Sequence, residues 1–565
     1  MKTIKILFLL IFIPAALFAQ RATLKGKIVD AVSNEPLPFV NVIVSGTNTG
    51  TSTDLNGNFT LTGLTPGFIR IEASFVGYKQ AISPEIEVTV ANANSIEIKM
   101  EEQKEQIEEV VVKASPFRKT EESPVSLRTI GIGEIEKSPG ANRDISKVIQ
   151  SFPGVQSTPA FRNDIIIRGG GPSESRFYLD GVEVPFINHF ATQGASGGPV
   201  GIINADFIRE VNYYSGAFPA NRGNALSGVL EFNQVDGNPD KTNLQFTLGA
   251  SEIAATADGP IGEKTTYVIS ARRSYLSFLF GILELPFLPT FNDLQFKVRT
   301  RIDAKNEITF IGLGAIDKNE LNLEIEEPDE SQQYILSQLP ENKQWSYSVG
   351  GVYKHFEKHS FQTLVVSRSH FNNSAVKYLE NDDSFEANKI LDYSSEEMEN
   401  KIRFENTSRF GDVKFNVGAN VDFAGYKNST ATQRLINGQI VNINYNTDLN
   451  LIKYGIFGQV SKNFFNERLI LSVGLRTDAN NYSKSMSNMF KQFSPRLSAS
   501  YALTPQWSLN FNTGRYYQMP TYTTLGYKEN DVLVNKENEL KYISVDHLIG
   551  GFEYRPSSTD RKSVV

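Results

Sequence analysis

Long stretches of alternating apolar and polar residues dominate the second half of the chain. In 294–302 and 415–423, an apolar or threonine side chain stands at every second position, with polar residues or glycine between them. Successive side chains of a β-strand point to opposite faces of a sheet, so this alternation predicts strands with one apolar and one polar face. Similar segments recur further along the chain: 244–250, 469–475, 497–503 and 507–513.

Such two-faced strands fit two kinds of protein. In a soluble β-sandwich the polar face meets solvent, whereas in a membrane barrel it lines a wet lumen and the apolar face meets lipid. No apolar run in the body of the chain reaches the roughly 18 residues of a spanning helix, which excludes a helical membrane protein but not a barrel. Short turns alternate with long polar insertions, as in outer-membrane barrels. We therefore expect 236–565 to form an antiparallel transmembrane β-barrel.

The N-terminus has the order of a secretory signal peptide. Lys2 and Lys5 flank an apolar run over 6–18, and Ala19 supplies a small residue at the cleavage site. The alternative is a short buried helix. We expect residues 1–19 to be removed and the mature chain to leave the cytoplasm.

Composition excludes several classes of function. The chain has no cysteine, and therefore no disulfide, thiolate metal site or cysteine nucleophile. Its net charge is -7, and no basic cluster is available to neutralise nucleic-acid phosphates. Paired carboxylates, a catalytic triad and a metal-ligand cluster are all missing from the sequence pattern. We expect no enzyme activity, no catalytic residues, no cofactor, no metal and no nucleic-acid partner.

Two smaller regions follow the signal peptide. Residues 20–102 contain short period-two segments separated by turn signals such as Asn56-Gly57, which predict a small β-sandwich. The linker 103–115 begins with charged residues and then becomes β-branched at Val110, Val111 and Val112. A lone β-branched strand of this kind can add to the sheet edge of another protein, or it pairs within the neighbouring domain.

A glycine-rich loop marks the region 116–235. The apolar segment 165–167 leads into Arg168 and three glycines, and a second strand over 176–179 ends in an Asp180-Gly181 turn. Glycine adopts φ angles closed to other residues, so the loop can turn tightly. A phosphate-binding loop would need a following GK[ST] motif and a helix, and neither is present. Helical spacing over 145–152 adds a helix, so we expect a compact α+β domain.

Several motifs in this region carry a family resemblance. PGV, IIIRGG and YLDGVEVP, in that order, resemble the plug domain of TonB-dependent outer-membrane receptors. The string GKIVDAVSNEPLPFVNVIVSGTNTGTSTDLNGNFTLTGL resembles the carboxypeptidase-regulatory-like domain found ahead of many Bacteroidetes receptors. The fold implied is mainly β: a β-sandwich (20–102), a linker (103–115), an α+β plug (116–235) and a transmembrane barrel (236–565).

The resemblance also implies roles for individual residues. The TonB box, where the energy-coupling protein pairs as an extra strand, would be Ile107, Glu108, Glu109, Val110, Val111 and Val112. The apical loop of the plug would face the ligand with Arg168, Gly169, Gly170, Gly171, Ser173 and Ser175, although for any one of them a structural role outweighs ligand contact. Structural positions in the plug would be Tyr178, Asp180 and Gly181.

The function implied is TonB-energised uptake of a scarce or bulky nutrient across the cell outer membrane of a Gram-negative bacterium. The partners implied are TonB with ExbB and ExbD, outer-membrane lipid, an unknown nutrient ligand and a surface lipoprotein. The alternative is an outer-membrane or surface β-protein for adhesion or assembly, without energised transport.

One departure from the family concerns the barrel. Plugged transporters of this kind close with 22 strands, whereas about 13 or 14 strand candidates appear in the roughly 330 residues from 235 onward. We therefore expect the barrel to be incomplete at the C-terminus and the chain to be a truncated product or fragment.

Overall fold

The computed structural model describes residues 21–90, 95–103, 120–124, 126–140, 144–157, 162–195, 197–436, 438–465, 468–557 and 560–564. The predicted signal peptide and TonB box lie outside these ranges. Within them the chain is mainly β, as predicted. None of the helices in the described part combines the length and apolar character that a membrane crossing requires.

The first unit is a small β-sandwich. Its strands are β1 (Ala22–Asp30), β2 (Asn41–Val44), β3 (Gly50–Ser52), β4 (Asn58–Leu64), β5 (Gly67–Ile69), β6 (Ile71–Ser74), β7 (Ala81–Ile82), β8 (Ile86–Val88) and β9 (Ser95–Met100). One sheet has the order β4-β1-β9, with β1 parallel to β9, and a second has the order β3-β2-β6-β7. Alternate residues such as Leu24, Val42 and Phe59 point inward and form a core separate from the rest of the chain.

The second unit, the inner domain (residues 120–235), is α+β. Its elements are β10 (Leu127–Gly131), α1 (Ile132–Lys137), α2 (Ile145–Gln150), β11 (Val155–Gln156), β12 (Ile166–Ile167), β13 (Ser175–Leu179), β14 (Val182–Val184), β15 (Asn188–His189), β16 (Val200–Gly201), a 3-10 turn (Ala205–Phe207), β17 (Ile208–Tyr214) and β18 (Gly228–Gln234). Five strands pair in the order β10-β17-β18-β13-β14, so the β13–β14 hairpin lies at one edge. The core beneath them includes Ile149, Phe177, Val211 and Phe232.

The third unit, the wall sheet, is antiparallel. Its first half contains β19 (Asn243–Leu248), β20 (Glu252–Ile261), β21 (Thr265–Ser274), α3 (Leu276–Ile282), β22 (Phe287–Arg301), β23 (Asn306–Leu321), α4 (Glu330–Gln338), β24 (Glu341–Glu357), β25 (Ser360–Tyr378), 3-10 turns (Leu379–Asn381 and Glu386–Asn388) and β26 (Lys389–Phe410). Its second half contains β27 (Val413–Ile436), β28 (Gln439–Phe464), β29 (Leu469–Asn480), α5 (Lys484–Ser487), a 3-10 turn (Met489–Gln492), β30 (Ser494–Ala502), β31 (Trp507–Gln518), α6 (Tyr522–Leu525), β32 (Lys528–Glu529), β33 (Val532–Leu533), α7 (Val534–Glu537), β34 (Ile543–Ser557) and β35 (Asp560–Val564). Within the described ranges, fifteen of these strands form one sheet in chain order, with β31 pairing directly with β34.

The wall sheet curves around the inner domain. Arg272 of β21 donates to the backbone of the inner domain at Gly201, and Ile549 of β34 packs against its Gly216. Because strands near both ends of the sheet contact the same small domain, the sheet must bend into a cylinder-like wall. Polar and apolar side chains alternate across the wall as predicted, with the polar face inward. Gln295 is 0% exposed on the inner face, and its neighbour Leu294 is 45% exposed on the outer face.

The two ends of the wall differ. At the short-turn end, strands are joined by tight connections such as Gly411-Asp412 between β26 and β27. At the long-loop end, most connections are longer and carry α3, α4, α5, α6 and α7, whereas β27 and β28 are joined by residues 437–438 alone. The sandwich lies at the short-turn end, where its Lys25 pairs with Asp240 at 2.7 Å.

Candidate functional site between the inner domain and the wall

The predicted apical loop follows β12. Arg168 and Gly169 both have positive φ, 51° and 77°, which turn the chain sharply after Ile167. The amide of Arg168 donates to the carbonyl of Gly154 at 2.8 Å, and Arg168 and Gly169 are exposed. At Gly170 a Cβ atom would overlap the Ser227 hydroxyl, so a larger residue would push the loop away from β18. The loop therefore packs closely against Ser227 at the start of β18.

The later residues of this loop approach the long-loop end of the wall. Gly171 and Ser173 are half-buried, and Ser175 is buried. Gln518, the last residue of β31, donates to the carbonyl of Ser173 at 2.7 Å. Ser173 and Ser175 line a cavity of about 120 Å³, which we call the outer cavity. Aromatic side chains of the inner domain and of the wall line it as well: Phe177, Phe186, Phe371 and Tyr522.

The hairpin β13–β14 binds the wall through its tip. Asp180 and Gly181 have φ angles of 44° and 92°, which form the predicted tight turn. The Asp180 carboxylate accepts from the backbone and side-chain amides of Gln234, both at 3.0 Å. Gly181 presents its carbonyl to Arg403 Nη2 of the wall at 2.8 Å. Tyr178 is buried under the guanidinium groups of Arg222 and Arg403, 4.5 and 5.6 Å from its ring centre.

A cluster of arginines fixes the inner domain more broadly. Arg222 pairs with Glu231 at 2.7 Å and with wall residue Glu405 at 3.5 Å. From the wall, Arg496 donates to the carbonyl oxygens of Phe218 at 3.0 Å and Arg222 at 2.9 Å. These charges are nearly excluded from solvent, so each depends on its partners to offset the cost of desolvation.

Sequence reasoning missed a buried histidine. His189 is fully buried, with Nδ1 2.7 Å from Asp317 and Nε2 3.1 Å from Asp293, and its ring stacks on Phe291 at 4.2 Å. Burial lowers the pKa of His189, but the two carboxylates more than offset it and raise the pKa above its ordinary value. A lone histidine beside a Gly- and Ala-rich loop gives no sequence signal for this contact, because the partners lie 128 and 104 residues away.

The start of the inner domain is bound at the short-turn end. Glu121 pairs with Arg409 at 3.1 Å and Glu122 with Lys414 at 2.7 Å. Glu101, the first residue after β9, also lies 3.8 Å from Arg409. The two described segments that flank the predicted TonB box therefore meet at one wall arginine. Ile107 to Val112 themselves lie outside the described residues, and the position of the TonB box stays a prediction.

The sandwich contributes a further buried charge. Glu97 of β9 lies 3.2 Å from Arg299 and also contacts Arg301, while Arg299 pairs with Asp236 at 2.6 Å. Burial raises the pKa of Glu97, but the arginines outweigh it and hold the pKa well below its ordinary value. In the ranges that the structure describes, no three His, Asp or Glu side chains are grouped to hold a metal ion.

Three family models match successive parts of the chain. A carboxypeptidase-regulatory-like domain matches residues 24–112, the TonB-dependent receptor plug domain matches 119–229, and a TonB-dependent receptor-like β-barrel matches 315–556. Among curated proteins, TonB-dependent receptor SusC of Bacteroides thetaiotaomicron is 33% identical over 173 residues, which are 30% of this chain and 16% of that protein. A TonB-dependent receptor of Formosa agariphila is 28% identical over 214 residues, 36% of this chain and 19% of that protein.

Solved structures share the fold. A mutant of the ferric enterobactin receptor PfeA from Pseudomonas aeruginosa superposes with a TM-score of 0.56 at 16% identity, covering 76% of this chain and 69% of that chain. The outer membrane transporter YddB from Escherichia coli gives a TM-score of 0.56 at 13% identity, covering 76% and 67%. The siderophore receptor PirA from Pseudomonas aeruginosa gives 0.53 at 14% identity, covering 76% and 72%.

Proposed function

Because the chain belongs to the TonB-dependent receptors, β-barrel proteins of the bacterial outer membrane, we propose that it takes up a scarce or bulky nutrient by TonB-energised transport. The observation that carries this proposal is the anchoring of the inner domain at its start. Glu121 and Glu122, bound to Arg409 and Lys414, follow the predicted TonB box by nine and ten residues. Counted from that box, these are the first ion pairs that the described part of the inner domain makes with the wall.

The ligand binds at the long-loop end. Ser173 and Ser175 of the apical loop, with Phe371 and Tyr522 of the wall, offer it both polar and aromatic contacts in the outer cavity. Arg168 and Gly169 remain exposed and are available to a ligand that reaches the loop. A surface lipoprotein that presents the nutrient would dock on the same end of the wall, and outer-membrane lipid surrounds the apolar outer face.

Coupling takes place at the short-turn end. TonB pairs as an added strand with Ile107 to Val112, because a short β-branched segment is suited to strand addition. The inner-membrane proton gradient drives the pull, with ExbB and ExbD as the partners of TonB. Polar anchors of the inner domain such as the Glu121–Arg409 and Glu122–Lys414 pairs can break and re-form in a wet lumen. The chain itself performs no covalent chemistry in this scheme.

Deletion of 108–112 tests the proposal, with deletion of 113–117 as the length-matched control. Binding of a purified, fluorescent TonB C-terminal domain should be lost in the first variant and retained in the second. Cells should be tested for uptake of ferric enterobactin, a maltooligosaccharide, a tripeptide and cobalamin. Transport is supported if the uptake of one probe is lost in the 108–112 deletion but not in the 113–117 deletion, while both variants are still displayed on the cell surface.

The adhesion alternative makes the opposite prediction. Surface display and cell attachment would then be unchanged by either deletion, and neither TonB binding nor uptake of any probe would depend on 108–112. That result would overturn the proposed function.

A further inference from the structure

A series of cavities follows one side of the inner domain. Among the described residues, the outer cavity of about 120 Å³ borders a middle cavity of about 70 Å³, and this borders a lower cavity of about 830 Å³ toward the sandwich. The outer and middle cavities share Glu183, Asn224 and Met519 as lining residues. The middle and lower cavities share four residues: Tyr178, Gly181, Val365 and Arg403.

One wall strand lines all three cavities in order. Along β26, Glu399 lines the outer cavity, Lys401 the middle cavity and Glu405 the lower cavity. The inner domain faces it with the β13–β14 hairpin, on which Glu183 lies toward the long-loop end and Asp180 toward the lower cavity. The series therefore runs the length of a single interface, from the long-loop end to the short-turn end.

Two polar contacts separate the cavities. At the upper boundary, Lys401 bridges Glu183 of the hairpin at 3.0 Å and Glu399 of its own strand at 2.6 Å. At the lower boundary, Arg403 Nη2 donates to the carbonyl of Gly181 at 2.8 Å. Each boundary is thus closed by one cationic side chain of β26 that reaches across to the hairpin.

Within the five-stranded inner sheet, β14 is the strand that can move with least loss of pairing, whereas β13 also pairs with β18 over five residues. In the described part of the chain, β14 pairs with β13 over three residues and forms the edge of its sheet. The side of the inner domain that faces β21–β23 is held differently, by the buried His189 pairs and by Asn204, which donates to Ser270 at 2.9 Å. A displaced edge strand breaks fewer backbone hydrogen bonds than a central one.

We propose that the cargo passes between the β13–β14 hairpin and strands β24–β29, and that the Glu183–Lys401 and Gly181–Arg403 contacts are the two constrictions that close this route at rest. The inference rests on the proposed function and specifies the path that the cargo takes. The middle cavity is lined by charged side chains of both signs, among them Asp422, Lys453 and Asp478. The cargo that fits this lining is a hydrophilic solute, since an apolar one would strip these groups of water without replacing their hydrogen bonds.

A single-cysteine reporter tests the upper constriction, because the chain contains no cysteine of its own. Ser367 lines the middle cavity and is the register partner of Lys401, so Ser367→Cys reports passage beyond that contact. Ala315→Cys, buried against the inner domain on β23, is the matched control. The probe is a membrane-impermeant fluorescent maleimide added to intact cells that express the full chain.

Glu183→Ala should raise the labelling rate of Ser367→Cys at least tenfold and leave that of Ala315→Cys unchanged. Equal increases at both reporters would show that the whole inner domain has loosened, and no increase at Ser367→Cys would show that the contact is not a constriction; either result overturns the route. Should Glu183→Ala fail to fold, Glu183→Gln keeps the shape of the side chain and should raise labelling several-fold.

The lower constriction has its own reporter. Thr363 lines the lower cavity, and Thr363→Cys should react only when Arg403→Gln is combined with Glu183→Ala. If Thr363→Cys reacts with the maleimide in the Glu183→Ala variant alone, the Gly181–Arg403 contact is not a constriction. None of these measurements needs TonB, so a failed TonB experiment with a positive Ser367→Cys result would reject energised uptake while retaining the solute route.

Discussion

His189 of the inner domain lies 2.7 Å from Asp317 of the wall, with neither side chain free to reach solvent. The imidazole is also 3.1 Å from Asp293, whose carboxylate is bound in turn by Arg272. The backbone amide of Phe190 donates to the second oxygen of Asp317 at 2.7 Å. Together, these contacts join the segment of the inner domain around His189 to two neighbouring wall strands, β22 and β23.

The His189 contact predicts a pH-dependent stability. The folded-state pKa of His189 is raised, so its contribution is fully present below the unfolded pKa of about 6.5 and is lost as pH rises through the folded value. The thermal midpoint of detergent-solubilised protein should therefore fall as pH increases from 6 upward. His189→Gln, which does not titrate, should give a flatter profile over the same range. A wild-type midpoint that stays constant would contradict the prediction.

Removing the imidazole altogether should be costly. His189→Ala leaves two buried carboxylates without their shared partner, and breaking a buried ion pair in this way costs about 3–5 kcal/mol. Urea unfolding followed by intrinsic fluorescence measures the loss. Lys25→Ala is the control, since the exposed Lys25–Asp240 pair should contribute no more than about 1 kcal/mol. A loss at His189→Ala no larger than at Lys25→Ala would show that the buried pair is not stabilising.

Gly198 should not tolerate a side chain. A Cβ atom there would overlap the carbonyl oxygen of His189, and a backbone atom cannot move aside as a flexible side chain can. We expect Gly198→Ala to destabilise the protein by about 1–3 kcal/mol through overpacking. Gly550→Ala meets open space and should be close to neutral. Calorimetry of the two variants provides the comparison, and equal midpoints would refute the expected clash.

Arg409 should hold the first residues of the inner domain. In Arg409→Gln, Glu121 loses its charged partner, and amide hydrogen exchange over 120–124 should accelerate about tenfold, which corresponds to about 1.4 kcal/mol of local stability. Arg515→Gln removes an exposed pair with Asp546 and should leave exchange in this segment unchanged. Faster exchange in both variants, or in neither, would argue against a specific anchor.

Glu97 should dock the sandwich on the wall. Its pKa is depressed, so its contribution is present above the unfolded pKa of about 4.3 and is lost as pH falls toward the folded value. Lys25 and Asp240 lie close enough for zero-length carbodiimide coupling, which reports docking. Coupling at neutral pH should drop severalfold in Glu97→Ala. It should persist in Glu72→Ala, whose side chain bonds to Ser45 and Gln80 within the sandwich.

The sequence by itself determined the local features of this protein. Period-two alternation separated the inward Gln295 from the outward Leu294, because successive side chains of a strand must face opposite sides. The Asp180-Gly181 pair specified a tight turn, since both residues tolerate positive φ. Family motifs identified the plug and receptor class. The roles of the TonB box and of the apical loop in coupling and ligand binding remain predictions from the same motifs.

Only the tertiary structure decided which distant residues meet. His189 and Asp317 are 128 residues apart, and Arg299 and Glu97 are 202 apart, so no local pattern connects them. Their contacts depend on strand register and on how the inner domain is rotated within the wall. The same rotation places the β13–β14 hairpin against β26 and leaves the cavities on that side. A periodic pattern selects the face of a strand, but the partner across that face is fixed only when separate units pack together.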